Sequence, residues 1–305
     1  MNSRPAISVI TPSFNRCESL KRAIRSVGSQ TFSDYEQIVV DDGSTDETSA
    51  LLNQIGSPRL SSIRFQTNQG ANSARNAGIA AATAPVITFL DSDDEFLADR
   101  LAKTVDFFHK NPDQDLLIHS FRTIRDGRVY SGVNPGATVG PFLWKQLLIA
   151  NAVFIAGSAI SIRASLLNRI GGFDPELGRM QDREFLLRSA DVSDAVLDSE
   201  VDWVKHTSSD SISSGKKGYL AALASIYRKH PTIRSQNSQL AAYLVCRTLL
   251  AELQHLELKR AVNGYLENRI LPELGFSTRA LITGYFSGKR KRRLLKNQLR
   301  DASEI

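Results

Sequence analysis

Three carboxylates follow directly on a short apolar run in the first third of the chain. Residues 86–90 are apolar apart from Thr88, and Asp91, Asp93 and Asp94 come immediately after them. Carboxylates so close together repel one another unless positive charge lies between them. A hard divalent cation with a bound phosphate is a common source of that charge, because such ions prefer oxygen ligands. The same acids are also typical of a solvated turn that opens a helix. This stretch alone therefore does not decide between a cation-binding site and such a turn.

Elements that position these acids are predicted from the spacing of apolar residues. The predicted strands cover residues 6–10, 36–40, 62–66, 86–90, 116–121, 156–162 and 196–205. Helical spacing predicts helices at residues 18–29, 71–82, 96–108, 164–170 and 181–188, and residues 127–140 are predicted as a loop. Strands that alternate with helices in this way favour an α/β fold with a mostly parallel sheet and right-handed crossovers.

Polar clusters follow three of the predicted strands, at residues 11–16, 41–44 and 91–94. Because parallel strands end at the same edge of a sheet, where open α/β sheets bind ligands, we expect these clusters to share one pocket. Their composition suits a polar, phosphorylated ligand. The first strand is not followed by a Gly-x-Gly-x-x-Gly motif, and the chain has no Gly-Lys-Ser/Thr loop. The chain therefore lacks the motifs that mark dinucleotide-binding proteins and phosphate-loop ATPases.

The length and composition indicate a globular protein. The 305 residues suffice for one large α/β domain with an appendage or for two modest domains, and the 42% hydrophobic and 23% charged content is near the average for folded domains. Cys17 and Cys246 form no disulfide framework, which suits a reducing cytosol. The start of the chain resembles no signal peptide, and the longest uncharged run, residues 146–162, falls short of the ~20 residues that span a membrane. We therefore predict a cytoplasmic location.

Positive charge is concentrated near the C-terminus. Residues 289–305 carry a net charge of +5, which leaves +1 for the first 288 residues, so a nucleic-acid-binding surface on the main domain is not predicted. The run from Lys289 to Arg293 is compatible with a solvated helix end. It is equally compatible with docking on an anionic membrane surface, at ~1 kcal/mol per basic residue. Such docking would place the protein peripherally on the cytoplasmic face of a membrane.

Six short motifs, taken in order, resemble the family 2 glycosyltransferases, which have the GT-A fold. They lie at residues 9–16, 39–46, 68–78, 89–94, 171–174 and 181–182. Each is weak alone, but together they match in order and spacing over residues 6–210. The resemblance implies a nucleotide-diphosphate sugar donor, Mn²⁺ or Mg²⁺, and inversion at the anomeric carbon. The Gln-x-x-Arg-Trp signature of processive members is missing, which favours transfer of a single sugar.

The resemblance also implies a division of the chain. A GT-A domain, with a Rossmann-like and mostly parallel sheet flanked by helices, would cover residues 1–215. Its nucleotide-sugar half would cover about 1–95 and its acceptor half about 96–215. Apolar stripes after Tyr219 predict a helical C-terminal region at 216–305 that ends in the basic tail.

Roles in donor binding are implied for several residues by the same resemblance. The implied nucleotide-sugar-binding residues are Pro12, Phe14, Asp41, Arg75, Asp91 and Ser92. Pro12 and Phe14 would line the base pocket, and Asp41 would accept a hydrogen bond from the nucleobase. Arg75 would lie near the nucleotide and Asp91 near the ribose.

Metal binding and catalysis are implied for three further residues. Asp93 and His206 would bind the metal ion, and His206 precedes a serine-rich run that suits either a mobile loop or a linker. Asp182 would act as the catalytic base that takes the proton from the acceptor hydroxyl. Gln181 stands where the family usually has an acid.

The sequence thus predicts an inverting, metal-dependent glycosyltransferase that moves one sugar onto a saccharide or lipid-linked glycan acceptor in surface polysaccharide biosynthesis. Gln181 leaves open an alternative of another class, a non-catalytic nucleotide-sugar-binding scaffold at the membrane surface. A nucleotidyltransferase would share the sheet type, but the chain lacks a glycine-rich loop bearing Arg or Lys after the first strand.

Overall fold

The computed structural model describes residues 4–125, 127–207, 218–253 and 274–303. The domain boundary predicted at residue 215, and most of the serine-rich run after His206, lie outside these ranges.

Ten strands within the described ranges form one mixed sheet. They are β1 (Ile7–Ser13), β2 (Tyr35–Asp41), β3 (Leu60–Arg64), β4 (Val86–Phe89), β5 (Glu95–Phe96), β6 (Leu116–Arg125), β7 (Arg128–Gly132), β8 (Ala137–Val139), β9 (Ile160–Arg163) and β10 (Ala195–His206). Their order is β3-β2-β1-β4-β9-β6-β10-β5, with β7 paired to β6 and β8 to β10.

Helices alternate with these strands, and they form most of the described part of the chain after residue 217. They are α1 (Cys17–Gly28), α2 (Thr48–Gln54), α3 (Ala71–Ala81), α4 (Arg100–Lys110), α5 (Pro141–Ile149), α6 (Ala164–Ile170), α7 (Gln181–Ser189), α8 (Tyr219–Lys229), α9 (Pro231–Gln236), α10 (Ser238–Leu253) and α11 (Thr278–Asp301). Each of the helices described is too short or too polar to cross a membrane.

The first half of the sheet is parallel, as predicted from the alternation of strands and helices. Strands β3, β2, β1 and β4 all run in the same direction, so their carboxyl ends lie at one edge. The second half is mixed, because β9 lies antiparallel between β4 and β6. Strand β10 is again parallel to β6, and this brings its last residues to the edge where β4 ends.

Three predicted elements differ from the observed ones. The helix predicted at 96–108 begins at Arg100, because Glu95 and Phe96 pair with β10 as a short antiparallel strand. The loop predicted at 127–140 contains the short strands β7 and β8. The strand predicted at 156–162 starts with a 3₁₀ turn at Gly157–Ala159. Strands this short have too few residues to show a clear alternation of apolar and polar side chains.

A cluster of phenylalanines packs below the carboxyl end of β4. The rings of Phe173 and Phe185 stack with their centroids 4.3 Å apart, and Phe89 meets Phe173 edge-on at 5.2 Å. The amide of Asn76 on α3 exchanges two hydrogen bonds of 2.7 Å with the backbone of Phe173. A Cβ at Gly172 would lie 2.3 Å from Asn76 Oδ1, which explains the glycine at that position. These contacts fix the segment that leads into α7.

A buried charge network joins four elements beneath the same edge. Arg100 on α4 is fully buried and donates to Asp202 Oδ1 over 2.7 Å. The other Asp202 oxygen bonds His119 Nδ1 at 2.6 Å, and His119 Nε2 bonds the Ser161 hydroxyl at 3.0 Å. Burial would raise the pKa of Asp202, but the charge of Arg100 outweighs it and holds that pKa below its usual range. The pairing ties β6, β9, β10 and α4 together.

Removal of one partner tests this network. We expect Asp202→Ala to lower the free energy of unfolding by about 3–5 kcal/mol, because the Arg100 guanidinium would be left buried without a counter-charge. Urea denaturation followed by circular dichroism measures the change. Asp106→Ala, which removes a surface partner of Lys110, serves as the control and should cost less than about 1 kcal/mol. Equal losses in the two variants would show that the network contributes nothing beyond an exposed pair.

Candidate functional site

A cavity of about 730 Å³ opens at the carboxyl ends of β1 and β4. Seven of the predicted site residues line it: Pro12, Phe14, Arg75, Asp91, Ser92, Asp93 and Asp182. Parallel pairing explains this convergence, because it places the end of β1 beside the end of β4. Helix α7 then delivers Asp182 from the second half of the chain.

Arg75 and Asp91 form a tight ion pair at the floor of this cavity. Arg75 Nη2 lies 2.6 Å from Asp91 Oδ1, and Arg75 itself is buried on α3. The guanidinium also lies 5.2 Å from the centre of the Phe173 ring. Burial alone would raise the pKa of Asp91, but the adjacent Arg75 charge lowers it below its usual range. A Cβ at Gly157 would lie 3.1 Å from Asp91 Oδ1, so this glycine leaves room for the pair.

Asp93 lies at the cavity wall with its side chain 19% exposed. Arg16 Nη1 is 3.3 Å from Asp93 Oδ2, and Arg22 donates to the backbone carbonyl of Asp93 over 2.7 Å. Burial and the negative charge of Asp91 both raise the pKa of Asp93. The negative charge of Asp91 thus adds to the effect of burial at Asp93.

Asp94 takes no part in opening the next helix, because α4 starts only at Arg100. Its carboxylate is fully buried and accepts hydrogen bonds from the Ser158 hydroxyl at 2.6 Å and from the His206 backbone at 3.3 Å. Burial, with the nearby acids adding to it, raises the pKa of Asp94 to about 7. Asp94 thus connects β10 to the end of β4.

Lys205 is a site residue that the sequence analysis did not identify. It lies near the end of β10 and lines the cavity. Burial would lower its pKa, but the charges of Asp94, Asp91 and Asp93 raise it, so the side chain stays an ammonium ion. More than a hundred residues separate Lys205 from these acids, and no local motif marks it.

Asp182 lies in the first turn of α7, where its Oδ1 atom is buried without a hydrogen-bond partner among the described residues. Burial, with the charge of Asp91 adding to it, raises the pKa of Asp182. Met180, the residue before α7, has a left-handed backbone with φ of 57°, an uncommon conformation for a residue other than glycine. An acid with a raised pKa and an unused oxygen at a cavity wall has the properties of a general base.

The structure places Asp41 outside the cavity, where its carboxylate is hydrogen-bonded within the protein. Its Oδ1 accepts from the Ser44 backbone at 2.9 Å and its Oδ2 from the Ser49 hydroxyl at 2.8 Å, so both oxygens are used within the protein. Asp41 is fully buried and lies outside the cavity lining. The neighbouring Asp42 lines the cavity instead, where it accepts from two backbone N–H groups of the loop before α3.

His206, the second residue predicted as a metal ligand, also has a partner within the protein. Its Nε2 atom lies 3.1 Å from Glu95 Oε2, and the residue lies outside the cavity lining. The preceding residue, Lys205, lines the cavity.

Two groups of side chains among the described residues have the ligand atoms to hold a cation. His119, Asp198 and Asp202 offer ligand atoms within 4.8 Å of one another. Both ring nitrogens of His119 and both oxygens of Asp202 are already hydrogen-bonded, however, and Arg100 supplies a positive charge there. The carboxylates of Asp91 and Asp93 both line the cavity, and they supply only oxygen ligands, as Mg²⁺ and Mn²⁺ prefer.

Comparisons with known proteins agree with the motifs. The profile of the family described as glycosyl transferase family 2 matches residues 8–171. WcaA of Escherichia coli strain K12, named as a candidate colanic acid biosynthesis glycosyl transferase, is 34% identical over 200 residues, a match that covers 62% of this chain and 67% of WcaA. Two further curated relatives are matched over 54% and 61% of their own lengths, so the chain spans little more than half of them.

Solved structures show the same fold at low sequence identity. TarS residues 1–349 of S. aureus in complex with UDP-GlcNAc superposes with a TM-score of 0.66 at 18% identity, over 97% of this chain and 91% of that one. The mannosyltransferase PcManGT of Pyrobaculum calidifontis, in complex with GDP-Man and Mn²⁺, superposes with a TM-score of 0.61 at 18% identity, over 99% and 87%. The architecture is therefore the GT-A fold of glycosyltransferases. This chain belongs to glycosyl transferase family 2, which confirms the family and fold predicted from the six motifs.

Proposed function

We propose that this chain is an inverting, metal-dependent glycosyltransferase that transfers one sugar from a nucleotide-diphosphate sugar to a saccharide or lipid-linked glycan acceptor in surface polysaccharide biosynthesis. One observation carries the proposal: Asp182, which has an oxygen without a partner in the described part of the chain, shares a cavity with Asp91 and Asp93. A base and a cation-binding pair facing the same space are what a displacement at a sugar diphosphate requires. The polysaccharide assignment rests on relatives such as WcaA.

Donor binding is assigned to the first half of the chain. Pro12 and Phe14 would contact the nucleobase, and Asp42, rather than Asp41, would accept its hydrogen bond. Arg75 holds Asp91 in place for the ribose, and Ser92 lies beside them at the cavity wall. The donor class is supported by the nucleotide sugars in the TarS and PcManGT complexes.

A divalent ion, Mn²⁺ or Mg²⁺, would be held by Asp93 with Asp91, and it would supply positive charge to the departing diphosphate. Two protein cations stand next to the same acids, since Arg16 is 3.3 Å from Asp93 and Lys205 lines the cavity. Both would stabilise the charge that develops on the leaving group. The Mn²⁺ in PcManGT supports this cofactor class.

Asp182 would take the proton from the acceptor hydroxyl while that oxygen attacks the anomeric carbon. A single displacement with the base and the leaving group on opposite sides inverts the configuration of that carbon. Residues of α10 also line the cavity, so the C-terminal region would help to form the acceptor site. We therefore propose the division into a GT-A domain at 1–215 and a helical region at 216–305 as a description of how the chain is organised. It does not imply that the two parts function independently.

Variants of two acids test the division of roles. We expect Asp93→Asn to abolish Mn²⁺-dependent binding of the donor, because the cation loses its main carboxylate. Asp182→Asn should bind the donor normally and lose turnover by about 10²–10⁴-fold, the usual contribution of a general base. Donor binding is measured by calorimetry, and turnover by release of the nucleoside diphosphate from a panel of UDP- and GDP-sugars.

The same panel of nucleotide sugars distinguishes a transferase from a non-catalytic scaffold. Turnover of one donor by the unmodified protein, lost in Asp182→Asn, supports the transferase. Tight donor binding without turnover on any glycan acceptor would instead favour the scaffold, in which Gln181 replaces an acid. A protein that binds no nucleotide sugar with Mn²⁺ would contradict both.

We further propose that α11 docks the protein on an anionic membrane surface at the cytoplasmic face. The basic run lies within this helix rather than at its end, and Lys289, Arg290 and Arg293 are exposed. Ile282 and Phe286 precede them on the same helix with 56% and 68% exposure. Exposed apolar side chains followed by basic ones are typical of a helix that lies at a lipid interface. Arg292 is excluded, because it donates to the backbone at the end of α5.

Replacement of Lys289, Arg290 and Arg293 by Gln tests the docking. At ~1 kcal/mol per basic residue, the triple variant should bind phosphatidylglycerol vesicles about 10²-fold more weakly than the unmodified protein. Cosedimentation with vesicles measures this, and a variant with Lys21, Arg25 and Lys110 changed to Gln matches the loss of charge elsewhere. Equal binding by the two variants, or equal binding to phosphatidylcholine vesicles, would show that α11 does not dock on anionic lipid.

A further inference from the structure

Three arginines line the cavity on the side formed by the second half of the chain. Arg179 lies in the segment before α7, Arg183 lies on α7 and Arg247 lies on α10. Asp182 is the one carboxylate among the described lining residues of this side. On the donor side, by contrast, three cations balance three carboxylates. These are Arg16, Arg75 and Lys205 against Asp42, Asp91 and Asp93.

Charge balance therefore differs between the two sides of the cavity. The donor side is neutral before ligands bind, and a divalent ion would largely offset the charge of a sugar diphosphate there. The other side keeps a surplus of two positive charges that neither the donor nor the metal ion would neutralise. Positive charge that is concentrated in a cleft attracts ligands of opposite charge.

Two of these arginines have donor groups with no hydrogen-bond acceptor among the described residues. Arg179 Nη1 is buried without a hydrogen-bond partner, while its guanidinium lies 5.2 Å from the centre of the Tyr219 ring. Arg247 is exposed at the cavity and pairs with no acid among the described residues. A buried guanidinium donor left unpaired costs free energy, so its persistence in a cavity wall indicates a ligand acceptor atom.

Arg183 differs from the other two arginines, because its terminal nitrogens are hydrogen-bonded within the protein. Its two terminal nitrogens bond the Leu148 carbonyl and, at 2.6 Å, the Asn151 side chain, which ties α7 to the end of α5. Burial, with the nearby charge of Arg247 adding to it, lowers the pKa of Arg183 to about 10, so it still carries its charge at neutral pH. Arg183 thus adds to the positive field, while Arg179 and Arg247 have the free donors.

We propose that the acceptor carries an anionic group, and that Arg179 and Arg247 bind it next to Asp182. This inference rests on the proposed function and specifies its acceptor. The guanidinium fork matches the two oxygens of a phosphate or a carboxylate. Two sources share this chemistry: the phosphate of a lipid-linked saccharide, or the carboxylate of an acidic sugar. Binding there would hold a neighbouring sugar hydroxyl near Asp182.

Titrations with small probes test the proposal while the donor site is blocked. The protein is saturated with Mn²⁺ and with UDP or GDP, whichever raises its melting temperature. Glycerol 3-phosphate, glucuronate, glycerol and glucose are then titrated separately, and binding is followed by saturation-transfer NMR. We expect a charged probe to bind at least about tenfold more tightly than its neutral counterpart, as charge-assisted hydrogen bonds allow. Arg179→Gln and Arg247→Gln should each remove most of that preference.

Arg228→Gln is the matched control, because Arg228 is exposed on α8 and lies outside the cavity lining. The Arg228→Gln variant should prefer charged probes as strongly as the unmodified protein does. A preference for glycerol 3-phosphate alone identifies a phosphate acceptor, and one for glucuronate alone identifies an acidic sugar. Equal binding of charged and neutral probes, or an unchanged preference in the exposed-site variant Arg247→Gln, overturns the inference. Failure of both nucleotides to bind would instead overturn the proposed function.

Discussion

Repulsion among the acids at the end of β4 is the constraint on which the rest of the site depends. Asp91, Asp93 and Asp94 are brought together by one short strand, and burial makes their mutual repulsion stronger. The protein offsets it with cations from three distant elements. Arg75 comes from α3 and Lys205 from β10, and Arg16 immediately precedes α1. Each of these cations also lines the cavity, so the same side chains set both its charge balance and its shape.

The sheet topology makes this arrangement available. Parallel pairing places the ends of β1, β2 and β4 side by side, and the return of β10 parallel to β6 adds Lys205 to that edge. The Phe173 segment, held by Asn76, then sets where α7 begins and thus where Asp182 points. The buried Arg100–Asp202–His119 network supports the sheet from below, and both oxygens of Asp202 are hydrogen-bonded within it. The Arg100–Asp202–His119 network is therefore structural, whereas Asp91 and Asp93 line the cavity.

The sequence predicts the parts of this site that local patterns mark. Acids after apolar strands and an acid that opens a helix are local features, and Asp91, Asp93 and Asp182 all line the cavity as expected. Asp41 and Asp42 could not be told apart, because adjacent carboxylates at a strand end differ only in which face they point to. Lys205, Arg179 and Arg247 were missed for another reason: their surroundings come from segments far away along the chain, so only the fold shows them.

The central claim, that the acids at the end of β4 hold the cation of a nucleotide-sugar site, has one direct test. Crystals grown with Mn²⁺ and the nucleoside diphosphate that binds most tightly would be measured at the manganese absorption edge. The account predicts an anomalous peak at the carboxylate of Asp93, bridging to the diphosphate, with the nucleobase near Phe14 and Asp42. A peak at His119, Asp198 and Asp202, or a nucleotide bound outside the cavity, would contradict it.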